Sequence, residues 1–145
     1  MTQIQPISLI FSLPQTDFVE IRFAAGLPGF PHVHRFRLAP WGPPGSPYLR
    51  LRAVDDPEVG FVVVPPWVFY PEYEFDLDDM SAERLGLSVA DDAIVLAVVT
   101  LRDRPEEATL NLLGPIVVNR HTHDAAQVVL PTSSYSVRAP LAVAS

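Results

Sequence analysis

Hydrophobic and polar residues alternate with a period of two in three early segments, residues 18–23, 33–39 and 48–54. This alternation is typical of a β-strand with one buried face. Two later segments, 59–64 and 93–100, are almost uniformly apolar and predict strands that are buried on both faces. Further strands are predicted at 108–119, 126–131 and 134–141, with Gly114–Pro115 bending the first of these or placing it at an edge.

Turn-forming residues separate the predicted strands. Residues 55–58 join 48–54 to 59–64 as a hairpin, and the glycines and prolines of 24–30 and 40–47 exclude regular structure there. One short helix is predicted over 78–86, capped by Asp78, Asp79 or Ser81, ended by Gly86 and docked through Met80 and Leu85. The pattern therefore predicts an all-β, mainly antiparallel domain with one or two short helices, either a small barrel or a compact sandwich.

Composition narrows the class of protein. A chain of 145 residues suits one domain, 1–145, and its sixteen prolines disfavour a helical bundle. The chain has no cysteine, which excludes disulfides and thiolate metal sites. The net charge of −7 argues against binding to duplex nucleic acid and favours a basic partner. We expect no signal peptide in residues 1–15, which lack a basic start and are interrupted by Pro6 and Pro14, and no membrane span, because no apolar run is long enough.

The segment 62–79 passes from an apolar run, through prolines and aromatic rings, into carboxylates. If 72–77 is extended, Glu72, Glu74 and Asp76 share one face while Tyr73, Phe75 and Leu77 share the other. Two interpretations stay open. The carboxylates form either a partner-binding surface or an ordinary solvated strand face, the latter paired with four arginines: Arg35, Arg37, Arg50 and Arg52.

Candidate catalytic chemistry is sparse. All four histidines lie in two His-x-His pairs, His32 with His34 and His121 with His123, and on a strand such a pair can hold one metal ion. A small metal-binding β-barrel enzyme is therefore the alternative function, although a third ligand is lacking. A further alternative is an RNA-binding barrel, if strands 33–39 and 48–54 pair and bring their arginines together. The pairs Asp55–Asp56 and Asp91–Asp92 adjoin turns, where aspartate binds backbone N–H groups.

Three segments in order resemble the family of flagellar assembly factors called FliW. They are 23–30, with its Gly-Leu-Pro-Gly-Phe turn; 53–77, with its Val-Asp-Asp-Pro hairpin and proline-rich step; and 111–119, followed by 127–130 and 134–138. Residues 23–141 align without large gaps. The chain departs from the family pattern at Ala24, at Pro31 and throughout 1–17, which is a divergent N-terminal segment.

The resemblance implies a small cytoplasmic β-barrel that has no catalytic residues, cofactor or metal and contacts neither membrane nor RNA directly. It implies two protein partners: flagellin, and the translational regulator CsrA, which represses flagellin mRNA. Free protein would bind CsrA and relieve that repression, while flagellin would compete for it. An acidic surface suits a basic RNA-binding protein, so we predict that the partner-binding residues are Phe69, Tyr70 and Tyr73 as anchors and Glu72, Glu74 and Asp76 as charges.

Overall fold

The computed structural model describes residues 2–4, 18–101, 103–104, 107–130 and 135–141, and these residues form a β-rich domain. The strands, in chain order, are β1 (Thr2–Ile4), β2 (Val19–Phe23), β3 (Arg35–Pro40), β4 (Leu49–Ala53), β5 (Gly60–Val64), β6 (Phe75–Leu77), β7 (Ala93–Thr100), β8 (Thr109–Leu110), β9 (Ile116–Asn119), β10 (Asp124–Gln127) and β11 (Ala139–Pro140). The helix α1 spans Asp79–Leu85, and single 3₁₀ turns span Pro66–Val68 and Ala90–Asp92.

Seven of these strands close into a barrel. Their order around the barrel is β7-β5-β4-β3-β2-β10-β9, and β9 pairs with β7 to complete the ring. Every pair in the ring is antiparallel except β10–β2, which is parallel. β8 and β11 extend the sheet from β7, and β1 pairs with β6 as a separate two-stranded ribbon. The barrel, rather than the sandwich, is therefore confirmed.

The barrel interior is filled by the apolar residues of the alternating strands. Phe23, Phe36 and Leu38 are fully buried there, and the rings of Phe23 and Phe36 meet edge to face with centroids 5.3 Å apart. The polar residues between them point outward, as the period of two requires. Gly26 closes the turn after β2 with φ of 68°, and a Cβ at this position would come within 2.7 Å of backbone atoms of Phe30 and Pro31.

A second core covers the outside of the barrel at β7 and β9. Ile94 and Leu96 of β7 point into the barrel, whereas Val95 and Val99 join this outer cluster. The cluster also contains Val117 of β9, residues of β6 and α1, and the segment that precedes β6. Because β7 is covered on both faces, its sequence is uniformly apolar, and its predicted bounds, 93–100, are confirmed.

The helix α1 has the predicted ends but a different buried face. The Asp78 side chain accepts a hydrogen bond from the Ser81 N–H at 3.0 Å, and Gly86 ends the helix with φ of 69°. Ala82 and Leu85 are buried, whereas Met80 is 62% exposed, so the predicted docking through Met80 is wrong. The reason is geometric: Leu85 lies on the face of Ala82 and Ser81, three and four residues earlier, and Met80 lies outside it.

Three predicted strands are shorter than expected. Residues 108–119 form two strands, because the Asn111 side chain accepts hydrogen bonds from the N–H groups of Leu113 and Gly114 and folds 111–115 into a turn. The return strand is Asp124–Gln127 rather than 126–131, and the last strand is Ala139–Pro140 within the predicted 134–141. The sequence predicted no strand at Thr2–Ile4. Most of the segment 1–17 lies outside the described residues.

Candidate partner-binding surface

The carboxylates of Glu72, Glu74 and Asp76, here called the acidic row, are all exposed, whereas the residues between and after them are buried. Tyr73, Phe75 and Leu77 belong to the outer core, the cluster that also contains Val95 of β7. The predicted division into a charged face and an apolar face is therefore confirmed. Regular strand structure is limited to Phe75–Leu77, whose backbone pairs with Thr2–Ile4.

Tyr73 is a structural residue and not an accessible anchor. Its side chain is 2% exposed, and its hydroxyl donates a hydrogen bond to the Leu112 carbonyl at 2.7 Å. The Tyr135 ring packs edge-on against it with centroids 4.6 Å apart. Burial, with a smaller contribution from Tyr135, raises the pKa of Tyr73 well above that of an ordinary tyrosine. The prediction that Tyr73 presents its ring to a partner is thus at odds with its position, because the i, i+2 pattern turns it into the core.

Phe69 and Tyr70 are half-buried on the loop that leads into the acidic row. The ring of Phe69 lies 6.3 Å from that of Tyr48, and the Tyr70 hydroxyl donates to the Pro140 carbonyl. Burial raises the pKa of Tyr70. Both residues are partly exposed, so each remains a candidate contact residue. Each also helps to hold the loop in place through the contacts above.

The loop and the acidic row are fixed from several directions. The Trp67 indole N–H donates to the Tyr73 carbonyl, and Pro66 begins the 3₁₀ turn that carries Trp67. The Glu74 N–H donates to the Tyr135 hydroxyl at 3.1 Å, which ties the row to the C-terminal arm, 135–141. A segment held in this way loses little conformational entropy on binding.

Two exposed apolar residues near this segment in the chain were not identified from the sequence. Val68 is 50% exposed in the 3₁₀ turn before Phe69, and Met80 is exposed in the first turn of α1. The sequence predicts a buried Met80 and makes no prediction for Val68, because an apolar residue in a short turn carries no periodicity that reveals its direction. They provide the accessible apolar surface that Tyr73 does not.

The arginines of β3 and β4 do not neutralise the acidic row. Arg35 instead forms an ion pair with Glu20 at 2.7 Å, which lowers the pKa of Glu20 chiefly through that hydrogen bond. In the ring order, β3 lies three strands from both β7 and β9, whereas the acidic row lies over β7 and β9. No ion pair joins Arg35, Arg37, Arg50 or Arg52 to the acidic row within the described residues, so the predicted pairing is wrong, while the interpretation as a solvated strand face stays open.

The histidine pairs do not assemble a metal site within the described part of the chain. No group of three or more His, Asp or Glu side chains is placed there to hold an ion. One ring nitrogen of His34 lies 2.9 Å from the Phe23 carbonyl, and His121 contacts Asp92 at 3.1 Å. His123 adopts a positive φ of 65° in the turn before β10. These histidines lie in turns or at strand ends, where His34 contacts a backbone carbonyl and His121 a carboxylate. They give no support to the metal-enzyme alternative.

The aspartate pairs are also engaged with the backbone. One oxygen of Asp92 accepts hydrogen bonds from the N–H groups of Ser88 and Val89, and these bonds, with His121, lower the pKa of Asp92. Asp56 accepts a bond from the Glu58 N–H at 3.3 Å in the β4–β5 turn. One member of each pair, Asp56 or Asp92, thus has the turn-stabilising role that its position predicts.

A closed seven-stranded ring with one short helix and an acidic row on an outer core defines the chain as a small β-barrel domain. Comparison with known proteins identifies the family. The chain belongs to the FliW family, because the model of the FliW protein family matches residues 11–141 and curated relatives match over most of their length. This confirms the resemblance seen in the sequence.

Two of these curated relatives share the description flagellar assembly factor FliW. The flagellar assembly factor FliW of Bacillus subtilis (strain 168) is 40% identical over 121 residues, covering 83% of this chain and 84% of that protein. The flagellar assembly factor FliW of Bacillus pumilus is 39% identical over 125 residues, covering 86% of each. A crystal structure of the flagellar assembly factor FliW superposes with a TM-score of 0.78 at 32% identity, covering 90% of this chain and 89% of that one. Within the described residues, no helix has the length and apolar character needed to cross a bilayer.

Proposed function

We propose that this flagellar assembly factor is a cytoplasmic, non-enzymatic regulator that binds flagellin and, when free of flagellin, binds and antagonises CsrA. Relief of CsrA-mediated repression of flagellin mRNA would then follow the level of flagellin. The observation that carries the proposal is the acidic row, which is exposed, alternates with buried residues and is held by backbone hydrogen bonds to Trp67 and Tyr135. It draws further support from membership of the FliW family.

Charge is the first part of the argument. Eight carboxylates lie between Glu72 and Asp92, and Arg84 is the only basic residue in that interval. A protein that binds RNA must be basic where it does so, and an acidic surface attracts such a protein while repelling the RNA. Complementary charge of this kind mainly accelerates association and selects the partner.

Shape is the second part. Apolar anchors supply most of the affinity in a typical interface, and polar groups surround them. Val68, Phe69 and Tyr70 lie on the loop before the acidic row, and Met80 follows it. We therefore assign contact roles to Phe69, Tyr70, Glu72, Glu74 and Asp76, and assign to Tyr73 the role of positioning them.

The test is charge reversal of the acidic row. Glu72→Lys, Glu74→Lys and Asp76→Lys are combined in one variant, and its affinity for CsrA is measured by calorimetry at low and at physiological salt. A matched control, Asp55→Lys with Glu58→Lys and Asp103→Lys, makes the same change in net charge on exposed loops outside the row. We expect the first variant to lose affinity while the control retains it, with both folded by circular dichroism.

Equal affinity of the two variants at low salt would reject the acidic row as the CsrA site. Competition is tested separately, by a pull-down with CsrA and flagellin both at saturation. We expect two binary complexes and no ternary complex. Recovery of all three proteins together would show that the partners do not exclude one another.

A further inference from the structure

The outer face of β3 and β4 carries a concentration of positive charge that the proposed function does not use. Five of the ten arginines of the chain lie on three adjacent strands, β2, β3 and β4: Arg22, Arg35, Arg37, Arg50 and Arg52. Their side chains are exposed, because the residues that alternate with them fill the barrel interior.

Two of these arginines are already neutralised. Arg22 binds Asp124 at 3.0 Å and Arg35 binds Glu20 at 2.7 Å. Asp55 also acts on Arg35 electrostatically. The charge available on this face therefore comes from the three others.

Arg37, Arg50 and Arg52, here called the arginine triad, have no carboxylate within 4 Å in the part of the chain that the structure describes. Arg37 and Arg52 face each other directly in the β3–β4 register, and Arg50 faces Ala39. Glu20 lies opposite Arg37 on β2 and acts on it electrostatically, but its hydrogen bond is to Arg35. Like charges directly opposite across a sheet are destabilising, so the Arg37–Arg52 pair is expected to lower the stability of the sheet.

Apolar surface adjoins the triad. A shallow depression of about 260 Å³ lies beside Arg50, and exposed side chains of Trp41 and Leu101 line it together with Val62. Glu58 and Pro57 complete part of its rim. This volume is below the 300–1,000 Å³ that is typical of small-molecule sites but is enough for one apolar side chain. At the other end of the face, the Arg37 guanidinium lies 4.5 Å from the centre of the exposed Phe18 ring.

We propose that the arginine triad and the Trp41 depression bind an extended acidic polypeptide segment, with an apolar side chain in the depression and carboxylates on the arginines. Guanidinium groups bind carboxylates through paired hydrogen bonds, and carboxylates two residues apart on an extended chain share one face, as the arginines of a strand do. The site does not depend on the proposed function, since it contains none of the residues to which that function assigns a contact role.

A protein segment fits this face better than RNA does. Glu20, Asp55, Glu58 and Asp124 lie on or beside it, so its local charge is only slightly positive. The chain as a whole carries −7. A long polyanion such as RNA would extend beyond the triad and be repelled by the net negative charge of the protein. A short segment with two or three carboxylates and one apolar anchor would not extend that far.

The experiment uses the full chain and a labelled eight-residue peptide in which glutamate and threonine alternate and phenylalanine stands at one end. Binding is followed by fluorescence anisotropy at low salt and mapped by NMR on the backbone amides and the Trp41 indole. We expect saturable binding, chemical-shift changes on β3, β4 and Trp41, and loss of affinity by about tenfold or more in Arg50→Glu. Arg138→Glu, which makes the same charge change on the C-terminal arm, should leave affinity unchanged.

Three results would overturn the proposal. The first is equal loss of affinity in Arg50→Glu and Arg138→Glu, or shifts that map away from β3 and β4. The second is tighter binding of a twelve-nucleotide oligouridylate than of the peptide, with dependence on Arg50, which would make the face an RNA site. The third is concentration-dependent self-association in sedimentation that Arg50→Glu abolishes, which would make a second copy of this chain the occupant.

Discussion

The substitution Tyr73→Phe separates the structural role of Tyr73 from a direct contact with a partner. It removes the buried hydroxyl that donates to the Leu112 carbonyl at 2.7 Å and leaves that carbonyl without this donor, while the ring stays in the outer core. The loss of one buried hydrogen bond with its acceptor left behind costs about 1–2 kcal/mol. For 145 residues, an unfolding entropy of roughly 2.1 cal/mol/K per residue converts this into a decrease in Tm of about 3–7 °C.

The measurement is urea unfolding of Tyr73→Phe together with its affinity for CsrA below the unfolding transition. We expect reduced stability and unchanged affinity. Tyr48→Phe is the matched control, because Tyr48 is half-buried and its hydroxyl forms no hydrogen bond with the part of the chain that the structure describes. A Tyr73→Phe protein as stable as the parent but weaker in binding would refute the reasoning, since the hydroxyl would then face the partner.

Three further predictions concern stability. Asp78→Ala removes the cap of α1 and should lower the free energy of unfolding by about 1 kcal/mol in urea titration, whereas Asp78→Ser should retain most of it. Arg52→Glu converts the Arg37–Arg52 pair into opposite charges and should raise Tm at low salt, a gain that disappears in about 1 M salt; a decrease in Tm would contradict the repulsion. Asp92 has a lowered pKa, so its contribution to stability is complete above the ordinary carboxyl pKa of about 4 and is lost as pH falls through the lowered value. Asp92→Asn should therefore flatten the acid limb of a stability–pH curve relative to Asp91→Asn, and identical acid limbs would count against that assignment.

Alternation along single strands predicted most of the barrel wall. The bounds of β7 followed from an apolar run, and those of β2 to β5 were within two residues of their predicted positions, because each strand has one face in the interior. The cap and end of α1 followed from Asp78 and Gly86, whose chemistry is local.

The remaining features depend on contacts distant in sequence. The parallel pairing of β10 with β2 and the closure of β9 on β7 join segments that no local pattern connects. The same limit applies to the candidate surface. Alternation placed the acidic row on one face correctly, but only the tertiary structure shows that Tyr73 reaches Leu112 and that Met80 is exposed.

The parallel seam between β2 and β10 has a consequence for synthesis of the protein on the ribosome. The Arg22 N–H donates a hydrogen bond to the His123 carbonyl, and the Arg22 side chain donates one to the Asp124 carboxylate. Asp124 follows Arg22 by 102 residues. At about 5–20 residues per second, translation needs roughly 5–20 s to make the second strand after the first. During that interval one edge of β2 has no partner strand. Factors that shield unpaired strand edges can act on β2 until β10 has been made and the ring can close.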